Sequence, residues 1–154
     1  SVADGDTDLT TINAVSRAQP SAKATRQLTT TAVVAPVYSL ALSAHQAASA
    51  AAGTSVIYSL SITNTGNRTD TFDLSVSSAW AASPSITSIT ISPGATGSFT
   101  VSVAIPPSAS DGAVNLTTLT AVSRANPAAT DTVQLTTTAI VDSYKIYLPI
   151  TLKR

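Results

Sequence analysis

Cysteine, methionine and glutamate are all absent from this chain of 154 residues, and two of the absences exclude chemistry. Without cysteine there is no disulfide and no thiolate metal site. Without glutamate, a paired-carboxylate mechanism has only eight aspartates to draw on. None of them sits in an apolar context that would split the pKa values of a pair. Charged residues are only 10% of the chain and balance to zero. That leaves no basic face for nucleic acid and no basic amphipathic helix for a membrane surface. No run of 18 apolar residues exists, so no segment reads as a membrane-spanning helix. No signal peptide is visible, so export would place Ser1 downstream of a processing point. Strong helix formers other than alanine and leucine are scarce, while serine and threonine abound, which favours strands separated by turns.

What the chain does contain is a stretch that occurs twice. Residues 4–34 read DGDTDLTTINAVSRAQPSAKATRQLTTTAVV, and residues 111–141 read DGAVNLTTLTAVSRANPAATDTVQLTTTAIV. The offset is 107 positions without a gap, and 20 of the 31 pairs are identical. Self-similarity at a domain-length period signals tandem repetition of one fold. The second copy closes a complete unit. The first reads as the last piece of a unit whose front is missing. It is also less apolar, with Arg26 standing where Val133 stands, Thr7 for Val114 and Asp8 for Asn115. Its packing environment is therefore expected to be wetter or differently built.

Taken in order, residues 4–34 predict a β-hairpin: Leu9 to Ser16, a turn through Pro20, then Thr25 to Val34. Ala35-Pro36 is a short joint. Val37 to Leu42 reads as a strand, and the alanine-rich segment Ala44 to Ala52 as a helical turn or a loop. Ser55 to Asn64 alternates cleanly, with Val56, Tyr58, Leu60 and Ile62 on one face. Thr71 to Ser77 and Ser98 to Ile105 alternate likewise, and Ile86, Ile89 and Ile91 mark one or two short strands. The apolar phase changes between Leu116 and Leu119, which suggests a β-bulge. Val133 to Val141 closes the unit. Seven to nine short strands with regular turn signals predict a sandwich of two sheets. The tail, residues 143–154, alternates strictly: Tyr144, Ile146, Leu148, Ile150 and Leu152 share one face. Pro149 suits that segment to a sheet edge.

Few residues suggest chemistry. Asp4, Asp6 and Asp8 alternate like the start of a calcium loop, but the glycine and the later ligands are missing, so a solvated strand entry is the reading. His45, the sole histidine, has no nucleophile elbow to serve and reads as a surface-loop residue. Trp80 reads as a core or edge plug rather than a sugar platform, since few other aromatics accompany it. None of Lys23, Lys145 and Lys153 sits where an isopeptide bond would form. Asn67 and Asn115 head N-x-[ST] triplets and are the candidate glycosylation sites.

From Tyr58 onward the segments SLSITNTGNRTDTFDLSVSS, Trp80, ISPGATGSFTVSVAIPPSASDGAVNL and TAVSRANPAATDTVQLTTT resemble a bacterial extracellular Ig-like (fibronectin-III-like) domain. Such domains occur in tandem on secreted and surface proteins. The ending YLPITLKR resembles the YLP-type C-terminus of secreted proteins of Chloroflexota. The resemblance implies an extracellular spacer, stalk or packing module.

The resulting expectation is an all-β chain: a partial repeat over residues 1–35, a complete Ig-like β-sandwich over 36–141, and an extra C-terminal strand over 142–154. It is expected to be non-catalytic, to need no cofactor or metal, and to partner itself or neighbouring identical repeats. Tyr144, Ile146, Leu148, Ile150 and Leu152 of the tail, with Leu9 and Leu28 of the hairpin, are the expected subunit interface. Unpaired strand edges recruit other chains, so strand exchange between subunits would build a filament. The alternative is the C-terminal spacer or anchoring module of a larger secreted enzyme or adhesin.

Overall fold

The computed structural model describes residue 3 and residues 5–141. The predicted tail strand, with Tyr144, Ile146, Leu148, Ile150 and Leu152, lies outside the described residues. The chain divides after Pro36 into two compact units.

The first unit is a two-stranded antiparallel hairpin of β1 (Thr7–Val15) and β2 (Lys23–Thr31). Every residue of both strands is exposed.

The second unit is an all-β sandwich. Its strands are β3 (Leu40–Leu42), β4 (Gln46–Ala51), β5 (Ser55–Asn64), β6 (Asp70–Ser77), β7 (Ala82–Pro84), β8 (Ser88–Ile91), β9 (Thr96–Ala104), β10 (Val114–Ser123) and β11 (Thr130–Ile140). One sheet runs β4-β11-β10-β6-β8 and the other β3-β5-β9-β7. All pairings are antiparallel except β4 with β11, which is parallel.

Alternation explains where the core sits. On β5, Val56, Tyr58, Leu60, Ile62 and Asn64 are buried while Ser55, Ile57 and Ser59 face outward. Opposite them stand Phe72 and Leu74 of β6, Leu119 and Ala121 of β10, and Val133, Leu135 and Ala139 of β11. Phe99, Val101, Val103 and Ile105 complete the layer. The Tyr58 hydroxyl crosses between the sheets, donating to the Thr136 carbonyl at 2.8 Å and meeting Thr137 Oγ1 at 2.8 Å. Trp80 packs half-buried against this core.

Three expectations need correction. Ala44 to Ala52 holds a strand, β4, whose alternate residues Gln46, Ala48 and Ala50 are half-buried. Alanine on both faces gave no hydropathy contrast by which to see it. No bulge interrupts β10: its pairing with β11 is continuous from Val114 to Val122. The inward positions there are Asn115 and Thr117, and Leu116 faces out at 50% exposure, so polarity rather than geometry broke the apolar phase. The predicted strand at Val37 is shorter, beginning at Leu40. Its front instead bonds the β5–β6 turn: Val37 N–H donates to Asn67 Oδ1, while Asn67 N–H donates to the Val37 carbonyl.

That turn is tightly packed. A Cβ placed on Gly66 would lie 2.3 Å from the Val37 carbonyl oxygen and 3.2 Å from the Ser39 nitrogen, both backbone atoms. Gly66→Ala is expected to cost about 2 kcal/mol as backbone shifts to relieve the overlap. Chemical denaturation of the purified variant checks it.

Candidate interaction surface

The hairpin β1–β2 is a copy of β10–β11 down to its hydrogen bonds. Thr7 pairs with Thr31 and Val15 with Lys23; 107 positions later Val114 pairs with Thr138 and Val122 with Thr130. Ser16 N–H donates to Ala22 O at 3.0 Å, as Ser123 N–H does to Ala129 O at 3.0 Å. Gly5 and Gly112 both adopt positive φ, at 86° and 73°, and donate to Ala32 O and Ala139 O. The sequence repeat is therefore a structural repeat.

The environments differ completely. In the sandwich the inner face of β10–β11 is covered: Leu119 and Leu135 are fully buried and Val133 is 1% exposed. The matching face of the hairpin carries Ile12 at 52% and Leu28 at 49% exposure, with Arg26 beside Ile12 in register. Leu28 thus stands where a core leucine stands in the complete unit. Leu9 occupies the opposite face, matching the outward Leu116, and is 58% exposed. Ile12 is the inner-face partner that the sequence reading did not single out, although its alignment with Leu119 marks it.

The edge of β10 shows how such a hairpin is held. Beside its pairing with β6, the turn after β10 reaches back along β6. The Ser123 hydroxyl donates to Asp70 Oδ2, and Arg124 N–H donates to the Thr71 carbonyl at 2.9 Å. The Arg124 guanidinium grips Asp73 with two nitrogens, Nε at 3.0 Å from both oxygens and Nη2 at 2.7 Å from Oδ1. Those hydrogen bonds hold the Asp73 carboxyl below the usual carboxylate range and the guanidinium above its own. Both side chains are exposed, so the pair orients the turn more than it stabilises it. Asp70, by contrast, is 5% exposed.

At the far end of β10, Asn115 is 2% exposed. Its amide donates to Ser78 Oγ and Thr117 Oγ1, both at 3.0 Å, and its Oδ1 accepts from Trp80 N–H at 3.1 Å. Asn115, a candidate glycosylation site by sequence, is thus buried and fully engaged in the folded chain. Asp8, its hairpin counterpart, has no donor to offer and accepts from Thr10 Oγ1. Asn67 is half-buried with its Oδ1 bonded to Val37 N–H.

The remaining candidates fall into structural roles. Exposed His45 accepts from Gln134 N–H at Nδ1, 2.8 Å. Asp6 accepts from Ala3 N–H. Among the described residues no three metal-ligating side chains gather. A shallow depression on the outer face of β5 and β9 is lined by Ser43, Ser59, Ser61, Ser98 and Thr100, with Leu60 and Phe99 at its floor. It contains no titratable group.

The sandwich resembles in fold a domain of known structure. The ASH/PapD-like domain of human CEP192 superposes with a TM-score of 0.52 at 13% identity, over 68% of this chain and 87% of that one. The secreted serine protease VesC of Vibrio cholerae is similar at 18% identity and a TM-score of 0.46, over 66% of this chain and 23% of its own. No curated relative matches. A family described as "IG-like fold at C-terminal of FixG, putative oxidoreductase" matches residues 55–139, from the first residue of β5 almost to the end of β11. This chain belongs to that family of Ig-like domains.

Proposed function

We propose that the chain is a non-catalytic structural element of an extracellular array of Ig-like sandwiches, in which hairpin β1–β2 closes a neighbouring sandwich as β10–β11 closes its own. One observation carries this reading. The hairpin keeps the register and turn bonds of β10–β11, yet the face that β10–β11 buries is open on it. An isolated two-stranded hairpin is marginal in water, so a covering sheet is what gives this one a stable place. The neighbour is a sandwich that lacks its own closing hairpin, as a preceding repeat of the same polypeptide would. A complete copy of this chain already has that place filled. The extracellular setting rests on the resemblance to secreted modules.

A second reading is a surface filament or stalk built by strand exchange between subunits. The open edges favour it: β4 and β8 end one sheet, β3 and β7 the other, among the described residues. The alternating tail, residues 143–154, is suited to add to such an edge.

Intact mass of the native protein and sedimentation of the purified 154-residue chain separate the two. The first reading expects a native mass well above that of 154 residues and a purified chain that stays monomeric. Exchange between subunits expects a native mass of 154 residues and polymers that disappear when residues 143–154 are deleted. A monomer of 154 residues in native material, with hairpin amides exchanging freely, defeats both.

A further inference from the structure

Resting on that reading, we infer that the turn Ser16-Arg17-Ala18 is a docking element for a strand bearing two aspartates in the pattern Asp-x-x-Asp, on an Ig-like sandwich other than a complete copy of this chain. The template is within the molecule. Asp70 and Asp73 of β6 form this pattern, and the turn Ser123-Arg124-Ala125 reads it. The serine hydroxyl and the alanine N–H address the first aspartate, the latter at 3.4 Å, and the guanidinium takes the second. All three residue types recur at 16–18, whereas 11 of the 31 positions in the two copies differ.

The backbone of the turn is also set the same way. Gln19 N–H donates to Ser16 Oγ at 3.2 Å, as Asn126 N–H donates to Ser123 Oγ at 2.9 Å. Ser16 therefore holds its hydroxyl in the arrangement that Ser123 uses, with its proton available. Arg17 makes no side-chain hydrogen bond or ion pair among the described residues. A planar guanidinium favours bidentate carboxylate contact, which is the geometry of Arg124 on Asp73.

The positions that do differ identify the occupant. Arg26 replaces the buried Val133, and Asp8 replaces Asn115, which donates two hydrogen bonds. A core like that of residues 37–141 would bury Arg26 unpaired and leave Ser78 without the donor that Asn115 supplies. The receiving sandwich shares the aspartate pair and differs in the layers that meet Arg26 and Asp8.

The test uses Arg17→Lys in the full-length protein, expressed in its native host and treated in the assembled state with a zero-length carbodiimide. This reagent joins an amine to a carboxylate in direct contact. Peptide mass mapping is expected to find position 17 joined to an aspartate of an Asp-x-x-Asp segment that does not belong to residues 37–141. The parent chain gives no product at that position. Hydrogen exchange of residues 7–31 in the same material is read in parallel. Protected hairpin amides with no product at position 17, or with a product to any other acid, overturn the docking element and leave the closing-hairpin reading standing. A product to Asp70 or Asp73 overturns the choice of occupant and points to exchange between copies. Unprotected amides overturn both.

Discussion

Val133→Arg is expected to unfold most of the sandwich at temperatures where the parent chain is fully folded. Val133 is 1% exposed, lies opposite Leu119 in register, and belongs to the apolar core cluster that includes Val, Leu and Phe side chains of the second sheet. The nearest inward carboxylate on the same strand, half-buried Asp131, is already engaged by Leu42 N–H at 2.8 Å. Leaving a charge buried and unpaired costs about 3–5 kcal/mol. Domains of this size are stable by about 5–15 kcal/mol. The melting midpoint is expected to fall by at least about 12 °C, at about 4–8 °C per kcal/mol. Circular dichroism at 218 nm would follow it, a wavelength that reports β-structure. The converse change, Arg26→Val, lies on an exposed strand and is expected to leave the melt of the sandwich unchanged. Should Val133→Arg melt within a few degrees of the parent, the core layer is permissive, and residue 26 no longer argues for a different neighbour.

Asn64→Ala is expected to have the next largest effect. Asn64 is fully buried at the end of β5. Its Nδ2 donates to the carbonyls of Arg68 at 2.8 Å and Ile91 at 2.9 Å, and its Oδ1 accepts from Gly66 N–H at 2.9 Å. One side chain thus fastens the β5–β6 turn to β8. Each buried partner left unsatisfied costs about 1–3 kcal/mol, and the three are not additive, so a loss of about 3 kcal/mol is expected. Asn64→Asp should be worse than alanine at neutral pH, since a carboxylate faces two carbonyl oxygens with nothing to donate. Urea unfolding of both variants tests the order. An alanine variant within about 1 kcal/mol of the parent would mean that water replaces the lost bonds.

Much of this architecture was readable from residue order, for physical reasons that differ by element. The strand β5 was visible because its buried positions are large and apolar and its exposed ones mostly hydroxylated. The hairpin and its kinship to β10–β11 were visible because the two segments align without a gap. The strand β4 was hidden because alanine serves both faces, and its parallel pairing with β11 leaves no trace in periodicity. The inward course of β10 was hidden because Asn115 and Thr117 are polar core residues, satisfied by Ser78, which lies far from them in sequence. On the hairpin, the shared face of Leu28 was legible from alternation. Ser16 and Arg17 were not, because their meaning appears only once Ser123 and Arg124 are seen against Asp70 and Asp73.

The parallel pairing of β4 with β11 bears on what the sandwich can withstand. Leu135 to Ile140 run beside Gln46 to Ala51 in the same direction. Tension applied between Val37 and Val141 pulls β4 toward its start and β11 toward its end, in opposite senses along one axis. Six residue pairs then resist shear together instead of parting one after another. Parallel strands loaded in this way are expected to yield later under a stretching force than strands that unzip pair by pair.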